Sequence, residues 1–349
     1  MGDRPRHRQQ TRRGEGLSPL TERLVEEAIP VLTGEPLAAH TGLRVGGPAD
    51  LLVRPRTAAE TARTLLSAAE EGATVLVMGR GTNLLVGDGG FRGLVLLVGE
   101  GFEEDGVRLH GTSCTTAAGV RLHELIERAA DSGLSGLEEL YGIPGSVGGA
   151  LAMNAGAYGV EIWSRVEWVE LALPSGELRR CRGSDIAHGY RRADLPAGSA
   201  VVRAEFCLAD GDPREIKGRA RERLADRKAK HPLEFPNCGS VFKNFCAVPG
   251  ADLDYERLVS ALGEGYSRRA LEMNGSLTLP AWRLVDACGL TGEKLGGAQI
   301  STKHSNFMVN LGGARAADFA GLIELARRRV FETFGVRLET EVRLTGEFL

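Results

Sequence analysis

The sequence lacks any pair of cysteines spaced to bind a metal. Its 349 residues include seven histidines and six cysteines, and the cysteines are scattered at Cys114, Cys181, Cys207, Cys238, Cys246 and Cys288. Structural zinc sites use closely spaced pairs of cysteine or histidine, and no Cys-x-x-Cys pair occurs in this chain. We therefore expect free thiols and no bound metal.

A long apolar run is also missing. A transmembrane helix needs about eighteen or more consecutive apolar residues, and the chain contains no such run. The basic residues 1–17 lead into no apolar segment of the kind found in a secretory signal, so Arg12-Arg13 does not indicate export. These features predict a cytoplasmic protein without a membrane partner, with a disordered basic tail at 1–17.

Neither sign of charge dominates. The formal net charge is −3 at pH 7, which gives the protein no general attraction to nucleic acid. The arginines of the tail could contact nucleic acid, but short polar tails of this composition are more commonly disordered. We expect no nucleic-acid partner, and any anionic ligand must be bound by a local site.

The common phosphate-binding motifs are absent, yet two segments are rich in glycine. Neither segment ends in Gly-Lys-Ser/Thr, and neither has the Gly-x-Gly-x-x-Gly spacing that opens a Rossmann helix. Residues 142–159 contain six glycines, and residues 78–85 read Met-Gly-Arg-Gly-Thr-Asn-Leu-Leu after a short apolar run. Backbone N–H groups of such loops can line an anionic ligand, and two loops together suit a large dinucleotide. The alternative is that both are tight turns between strands.

Apolar periodicity predicts an α+β protein of two or three domains. Helices are predicted over 18–29, 58–71, 120–131, 213–230 and 316–334, a β-hairpin over 166–173 and 177–181, and strands over 200–208 and 336–344. In the last of these segments apolar and charged residues alternate, and the charged face of a terminal strand is usually solvated. The charged helix at 213–230 predicts a domain boundary. The ligand-binding domain would occupy 18–211, divided near residue 105, and a second domain would occupy 212–349.

Three polar residues lie in segments of unusual composition. Arg191 follows Tyr190, Ser240 lies within Pro-Asn-Cys-Gly-Ser-Val-Phe-Lys-Asn at 236–244, and Glu341 lies within Leu-Glu-Thr-Glu-Val-Arg at 338–343. A guanidinium can bind a carboxylate bidentately, a hydroxyl can deliver a proton, and a carboxylate can hold or polarise a partner. Each residue also has a simpler interpretation, as a solvated arginine, a turn serine and a surface ion pair.

The amino-acid sequences of these segments, and their order, resemble those of the UDP-N-acetylenolpyruvoylglucosamine reductase family, which are flavoenzymes of bacterial peptidoglycan synthesis. The likeness covers nearly all of the chain after the tail, in segments at 44–50, 79–85, 142–159, 190–191, 239–244, 282–289, 294–298 and 303–307. About fifty residues separate Arg191 from Ser240, which resembles the subgroup without an extra tyrosine loop. The resemblance implies an FAD-binding half of two α+β subdomains, as in vanillyl-alcohol-type oxidases, and a C-terminal α+β substrate-binding lobe.

The resemblance also implies a noncovalent FAD cofactor and NADPH as co-substrate. In this family NADPH reduces the FAD and departs, and UDP-N-acetylglucosamine enolpyruvate is then reduced to UDP-N-acetylmuramate in the same pocket. The cofactor-binding residues implied are Gly79, Gly81, Thr82, Asn83, Leu84, Pro144, Gly145, Ser146, Gly148, Gly149, Asn154, Gly156 and Ala157.

Catalytic and substrate-binding roles are implied in the same way. Arg191 and Glu341 would stabilise the enolic intermediate of the reduction, and Ser240 would supply the proton that completes it. Substrate contacts are implied for Tyr158, Lys230, Asn244 and His304. The expected partners are NADPH and the UDP-sugar, and the enzyme is expected to act as a monomer.

The chain departs from the family pattern at two positions. Ala193 stands where the family often has serine, and Phe245 replaces a proline, which removes a hydroxyl near Arg191 and loosens a turn. Residues 246–280 also form a longer segment than in compact members, which puts substrate contacts there in doubt. Cys238 could be a nucleophile, but no covalent step requires one, so a buried thiol is the preferred interpretation. An oxidase acting on another substrate and a nucleotide-sugar-binding module without activity are the alternative functions.

Overall fold

Three larger sheets organise the part of the chain that the structure describes. The computed structural model describes residues 18–99, 101–102 and 106–349, and the tail predicted at 1–17 lies outside them. The helices are α1 (Pro19–Glu26), α2 (Ala58–Glu70), α3 (Leu122–Asp131), α4 (Val147–Ala152), α5 (Pro213–Lys230), α6 (Tyr255–Leu262), α7 (Arg268–Asn274), α8 (Ala281–Ala287) and α9 (Ala316–Phe334). The strands are β1 (Val31–Pro36), β2 (Pro48–Val53), β3 (Val75–Met78), β4 (Leu84–Val86), β5 (Phe91–Leu97), β6 (Val107–His110), β7 (Ser113–Ala117), β8 (Leu134–Ser135), β9 (Gly156–Ala157), β10 (Val160–Glu161), β11 (Val166–Ala172), β12 (Leu178–Arg182), β13 (His188–Gly189), β14 (Arg192–Ala193), β15 (Ala200–Cys207), β16 (Ala209–Asp210), β17 (Asn237–Ser240), β18 (Phe245–Ala247), β19 (Leu277–Leu279), β20 (Lys294–Leu295), β21 (Ala298–Ile300), β22 (Phe307–Asn310) and β23 (Arg343–Thr345).

Every predicted helix forms, although α3 begins at Leu122 rather than residue 120 and α1 ends at Glu26 rather than residue 29. The Ser18 hydroxyl accepts a hydrogen bond from the N–H of Thr21 at the start of α1, and the Thr57 hydroxyl caps α2 in the same way. Helix α9 matches its prediction at both ends and stops at Gly335, which has a φ of +74°. The predicted hairpin is confirmed as the antiparallel pair β11 and β12.

The first two sheets share a core. The first has the strand order β1-β2-β5-β3, and the second is an antiparallel sheet of order β12-β11-β15-β7-β6. Helix α2 packs between them, so Leu94 and Leu96 of the first sheet are buried with Val169 and Leu171 of the second. Strand β3 leads directly into the first glycine-rich loop, and α4 carries the second.

A third sheet forms the C-terminal lobe. Its order is β17-β22-β21-β20, and the helix α9 packs against it. Phe242, Phe319 and Phe334 fill the core between sheet and helices, and Leu43 and Leu85 enter this core from the N-terminal half. Apolar contacts therefore fix the lobe against the rest of the molecule.

Helix α5 packs on the second sheet's side of the molecule. Lys217 and Arg219 form ion pairs with Asp131 and Glu138, with N–O distances of 2.6 Å in both cases. The inner face of the helix carries Ile216, which is 1% exposed. The helix thus contacts the FAD-binding half, and the domain boundary between residues 211 and 212 stays a prediction.

The terminal strand predicted over 336–344 is wrong in extent. Only Arg343–Thr345 forms a strand, which pairs in parallel with β4. The chain bends before it because the N–H of Glu341 donates to the carbonyl of Val241, and the N–H of Arg343 donates to the carbonyl of Asn83 in the other half. The Glu341 side chain is 15% exposed and not solvated as predicted.

Candidate active site

A cavity between the two glycine-rich loops and the third-sheet lobe contains most of the predicted site residues. Its volume is about 450 Å³, which is in the range of ligand pockets. The predicted residues that line it are Arg191, Ser240, Glu341, Gly79, Gly81, Thr82, Asn83, Leu84, Pro144, Gly145, Ser146, Gly149, Gly156, Ala157 and Tyr158. Since these come from widely separated parts of the chain, the fold alone brings them together.

The first loop is shaped by glycines that no other residue could replace. Gly81 has a φ of +61°, and a Cβ there would lie 2.2 Å from the carbonyl oxygen of His40. Its own carbonyl accepts a hydrogen bond from the N–H of Gly42. Asn83 closes the loop, since its side-chain amide donates to the carbonyl of Glu341 at 3.1 Å. The loop is therefore held rigidly against the terminal segment.

The second loop lies directly against the first. A Cβ on Gly79 would lie 2.6 Å from the hydroxyl oxygen of Ser146, and the Thr82 hydroxyl donates to the carbonyl of Pro144 at 3.3 Å. The nearest atom to a Cβ built on Gly149, apart from its own helix backbone and chain neighbours, is 3.5 Å away. The loops thus form one continuous cradle of main chain in which Gly149 leaves space at the cavity wall.

The two predicted charged residues form an ion pair at this cavity. The Nε of Arg191 donates to Oε1 of Glu341 at 2.5 Å, and its Nη2 donates to the carbonyl of Gly156 at 3.1 Å. Arg191 has a φ of +56°, a backbone conformation that costs about 1–3 kcal/mol in a residue other than glycine. Such strain persists only where the surroundings hold the residue in place.

Burial and neighbouring charges act on Glu341 in opposite directions. Burial raises the pKa of its carboxyl above the ordinary value, while Arg191 and Lys243 act to lower it. On the far side of the ion pair is a second cavity of about 640 Å³, whose lining includes Arg192, Lys243, Arg327 and Arg343. Arg191 and Lys243 favour the ionised form of Glu341, but burial outweighs them and its pKa stays raised.

Ser240 is aimed at the cavity by a bulge in β17. The register of β17 on β22 shifts between Asn237 and Ser240, and the intervening Gly239 has a φ of +78°. A bulge of this kind redirects a side chain relative to a regular strand. Because the carbonyl of the next residue, Val241, accepts the N–H of Glu341 at 2.8 Å, the serine and the ion pair are held side by side.

Sequence reasoning missed two groups on the cavity wall, Arg227 and His231. The Nε of Arg227 is buried without a hydrogen-bond partner among the described residues, and His231 stacks on Phe307 with the ring centroids 4.7 Å apart. Burial, together with His304 and Arg227, lowers the pKa of His231 to about 4, so its ring is neutral at pH 7. Arg227 could have been found from the helix period, because it lies about three turns after the buried Ile216 on the same side of α5.

Tyr158 lies at the cavity beside the same helix. Its hydroxyl donates to Oδ2 of Asp226 at 2.6 Å, and the Arg223 guanidinium lies 4.4 Å from its ring centroid. Tyr158 has a φ of +50°. Tyr158 is 44% exposed, so part of the residue is open to a ligand.

Five predicted residues lie away from the cavity lining. These are Gly148, Asn154, Lys230, Asn244 and His304. The N–H of Gly148 donates to the carbonyl of Ala118, Lys230 pairs with Asp226 at 2.6 Å, and the Asn244 Oδ1 accepts the N–H of Ala281 at the start of α8. His304 reaches the site only through its edge contacts with His231 and Phe307. Their roles as ligand contacts stay predictions.

Cys238 lies beside the site as a buried thiol. Burial raises its pKa to about 12, and a thiol in that state is a poor nucleophile at neutral pH. Within residues 18–99, 101–102 and 106–349, no cluster of three or more His, Cys, Asp or Glu side chains is arranged to hold a metal. No helix in the same part of the chain is long and apolar enough to cross a membrane.

Comparison with known proteins agrees with this geometry. Residues 49–182 match the family model of an FAD binding domain, and residues 231–345 match that of the UDP-N-acetylenolpyruvoylglucosamine reductase C-terminal domain. The UDP-N-acetylenolpyruvoylglucosamine reductase of Geobacter metallireducens is 40% identical over 317 residues, which is 91% of this chain and 94% of that protein. The reductase of Paracoccus denitrificans is 41% identical over 310 residues, 89% of this chain and 94% of its own.

A solved structure extends the likeness to the whole fold. The crystal structure of the reductase from Thermus caldophilus has a TM-score of 0.68 and 34% identity, and it covers 90% of this chain and 98% of its own. The α+β fold with an FAD-binding half and a C-terminal lobe is thereby confirmed, as is the resemblance found in the motifs. The chain belongs to the UDP-N-acetylenolpyruvoylglucosamine reductase family.

Proposed function

We propose that this protein is an NADPH-dependent flavoenzyme that reduces UDP-N-acetylglucosamine enolpyruvate to UDP-N-acetylmuramate, a step of peptidoglycan precursor synthesis. The observation that carries the proposal is the meeting of Arg191, Glu341 and Ser240 on one cavity whose other walls are the two glycine-rich loops. An oxidase sharing only the FAD-binding half would have no use for Ser240, which belongs to the C-terminal lobe. A binding module without activity would have no use for a strained arginine paired with a buried carboxylate.

The residues present fit FAD. Gly149 leaves space at the cavity wall, and the contact between Gly79 and Ser146 joins two loops rich in main-chain N–H groups along the same wall. N–H groups so arranged suit the pyrophosphate of a dinucleotide. Gly79, Gly81, Thr82, Asn83, Leu84, Pro144, Gly145, Ser146, Gly149, Gly156 and Ala157 would hold the cofactor noncovalently. When bound, FAD would accept hydride from NADPH and pass it to the enolpyruvyl group.

Arg191 would stabilise the charge that this reduction creates. Hydride added to the methylene carbon leaves negative charge on the neighbouring carbon and its carboxylate, and the planar guanidinium can bind a carboxylate through two hydrogen bonds. Its Nε is already bonded to Glu341 and one Nη2 hydrogen to Gly156, so its direction is fixed before substrate arrives. A group oriented in advance stabilises the transition state without a reorganisation cost.

Ser240 would complete the reaction by donating its hydroxyl proton to the carbon beside the carboxylate. No described residue forms a hydrogen bond with this hydroxyl in the structure, so it is free to turn toward a ligand. A hydroxyl is a weak acid, and it can donate only to a strongly basic carbon in a site that excludes water. The partly buried position of Ser240 supports that requirement.

The substrate's UDP portion would lie toward α5. Arg227 offers a buried cation there, and Tyr158 and the neutral His231 offer ring faces to the base and sugar. Lys230, Asn244 and His304 are further proposed contacts, which would require side-chain movement when substrate binds. Since one chain supplies every residue of the site, we propose a monomer that works in the cytoplasm with NADPH and the UDP-sugar as its partners and no nucleic acid.

The visible spectrum of the purified protein tests this function. Bound FAD should give flavin absorbance that NADPH bleaches without oxygen and that the enolpyruvyl sugar restores. Restoration by oxygen alone, with no response to the enolpyruvyl sugar, would favour the oxidase. A preparation that remains colourless after FAD is added would overturn the assignment.

A further inference from the structure

The strained loop that carries Arg191 needs support from outside its own hairpin. Strands β13 and β14 pair through His188–Ala193 and Gly189–Arg192, which leaves Tyr190 and Arg191 as a two-residue loop. Only the second of these has a positive φ, of +56°, which is the pattern of a type II turn. Type II turns match the twist of a hairpin poorly, so the loop is not held in this form by the strands alone.

The buried side chain of Asn154 provides that support. Asn154 is 0% exposed, and its amide nitrogen donates at 2.8 Å to the carbonyl of Gly189, the residue immediately before the loop. The same nitrogen donates at 2.8 Å to Oε2 of Glu161. Both amide hydrogens are therefore used, one on each of two neighbouring hairpins.

The hydrogen bond from Asn154 to Glu161 connects Asn154 indirectly with the guanidinium of Arg191. Glu161 lies opposite Gly156 in the pair of β10 and β9, and the Gly156 carbonyl accepts the Nη2 hydrogen of Arg191 at 3.1 Å. Asn154 is thus linked to the main chain just before Arg191. Through Glu161 it is also linked to Gly156, whose carbonyl orients the Arg191 side chain. Asn154 itself has a φ of +42°, a conformation that asparagine tolerates better than most residues.

We propose that Asn154 is a positioning residue that holds Arg191 in its reactive orientation. The amide nitrogen carries this role, while the Oδ1 is buried without a hydrogen-bond partner among the described residues. The inference rests on the proposed role of Arg191. Asparagine suits the position because two hydrogen-bond donors must face two acceptors, the Gly189 carbonyl and the Glu161 carboxylate. An aspartate would have the same shape but would turn an acceptor toward both of them.

Two substitutions test the role directly. Asn154→Gly removes the amide while glycine keeps the positive φ, and Asn154→Asp keeps the shape and Oδ1 but reverses the hydrogen bonding. Both holoenzymes should retain FAD and be reduced by NADPH at close to the wild-type rate. Anaerobic stopped flow should show reoxidation by the enolpyruvyl sugar slowed by about 10²-fold, the typical consequence of misplacing a catalytic group by about 1 Å.

A double-mutant cycle separates positioning from an independent role. The double variant Asn154→Gly/Arg191→Ala should reoxidise no more slowly than Arg191→Ala alone. The two variants should also bind the enolpyruvyl sugar equally well in the oxidised state, which calorimetry without NADPH measures. Losses that multiply in the double variant would overturn the proposal. Loss of FAD from Asn154→Gly but not from Asn154→Asp would overturn it in favour of a cofactor contact through Oδ1.

Controls distinguish this proposal from general destabilisation and from failure of the Arg191 assignment. Asn310 is a buried asparagine whose amide donates to the carbonyl of Leu43 at 2.9 Å, so Asn310→Ala should lower thermal stability without changing the ratio of the two half-reaction rates. If Asn154→Gly does not fold, Glu161→Ala should give a smaller loss confined to reoxidation, and an equal loss in both half-reactions would overturn the proposal. Normal reoxidation by Arg191→Ala alone would instead refute the proposed role of Arg191.

Discussion

The Nε of Arg191 lies 2.5 Å from Oε1 of Glu341, and this contact joins the two halves of the molecule. Arg191 lies in the hairpin of β13 and β14, whereas Glu341 lies in the terminal segment after the C-terminal lobe. Both side chains are mostly buried, at 20% and 15% exposure. A buried ion pair adds little stability over a well-packed apolar contact, because removing the charges from water offsets their attraction. Its position on the cavity therefore favours a role in the reaction over one in folding.

Replacing Arg191 by lysine should separate the two half-reactions. Lysine keeps the charge but loses the planar group that can bond Glu341, Gly156 and a carboxylate at once. Reduction by NADPH should proceed at close to the wild-type rate, while reoxidation by the enolpyruvyl sugar should slow by about 10²-fold or more. Stopped-flow absorbance measures both steps. Arg192→Lys is the matched control, since that side chain is 70% exposed and paired with Asp194, and equal losses in both steps would show that Arg191 acts on cofactor placement.

Substitutions at two glycines of the cradle should have different effects: one should lower the stability of the fold, and the other should prevent FAD from binding. Gly81→Ala would place a Cβ 2.2 Å from the His40 carbonyl at a φ of +61°, so the protein itself should unfold at a lower temperature. At Gly149 a Cβ would lie 3.5 Å from its nearest neighbour, the hydroxyl oxygen of Ser146, so Gly149→Val should leave a folded apoprotein that has lost FAD. Thermal unfolding and flavin content measure the two effects. Gly218→Ala in α5, with open space around it, should keep its flavin and unfold at a slightly higher temperature, since alanine favours a helix interior over glycine.

The motifs predicted the residues that line the cavity best where main chain forms its wall, and the roles of those residues stay predictions. At Gly81 and Gly149 the main chain itself forms the cavity wall, and a glycine-rich segment indicates such main chain directly in the sequence. Ser240 and Glu341 were predicted because their segments resemble a family. The burial of Glu341 excludes the solvated ion pair, which no sequence pattern could do, and the Ser240→Ala variant decides between a proton donor and a turn serine.

Side chains that depend on how elements dock could not be predicted in the same way. Arg227 lines the cavity because α5 packs on α3 and on the short helix Glu138–Leu140. No local pattern states where a charged helix will pack. Asn244 ends a motif and Lys230 precedes it, but the side chain of Asn244 accepts the N–H of Ala281 in α8, and that of Lys230 pairs with Asp226 along α5. Nearness along the chain does not determine the direction of a side chain. Asn154 lies in a motif, yet its side-chain amide donates to Gly189 and Glu161, and the residue lies outside the cavity lining.

The contact between α5 and the FAD-binding half through Arg219 and Glu138 should contribute less to the stability of the fold at low pH. Burial acts to raise the pKa of Glu138, but hydrogen bonds from the Gly136 N–H, the Arg219 guanidinium and the Ser135 hydroxyl outweigh it and lower the pKa to about 2. A carboxylate with a depressed pKa in the folded state stabilises the protein fully above its unfolded pKa of about 4.5, and that contribution is lost as the pH falls toward 2.

Glu138→Gln should therefore lower the free energy of unfolding by about 2 kcal/mol at pH 7, near the strength of charge-assisted hydrogen bonds. The difference from wild type should be the same at pH 5 and should shrink below about pH 4.5. Urea unfolding at pH 7, 5 and 4 measures it. Glu177→Gln, which removes an exposed pair with Arg179, should have little effect, and a difference that grows on acidification would contradict the assignment.

Ser240→Ala is the most direct test of the proposed chemistry, because the hydroxyl is assigned to one step only. The variant should bind FAD and be reduced by NADPH normally, since neither event uses the proton of Ser240. Reoxidation by the enolpyruvyl sugar should slow by about 10²–10⁴-fold, the usual range for loss of a general acid. Ser240→Cys should recover part of the rate because a thiol can also donate a proton. The two half-reactions can be followed by stopped-flow absorbance, with Ser305→Ala as a control in the same lobe, where the hydroxyl only donates to the carbonyl of Trp282. If Ser240→Ala reoxidises at the wild-type rate, the serine serves only the bulge of β17, and the proton must come from another group on the cavity wall.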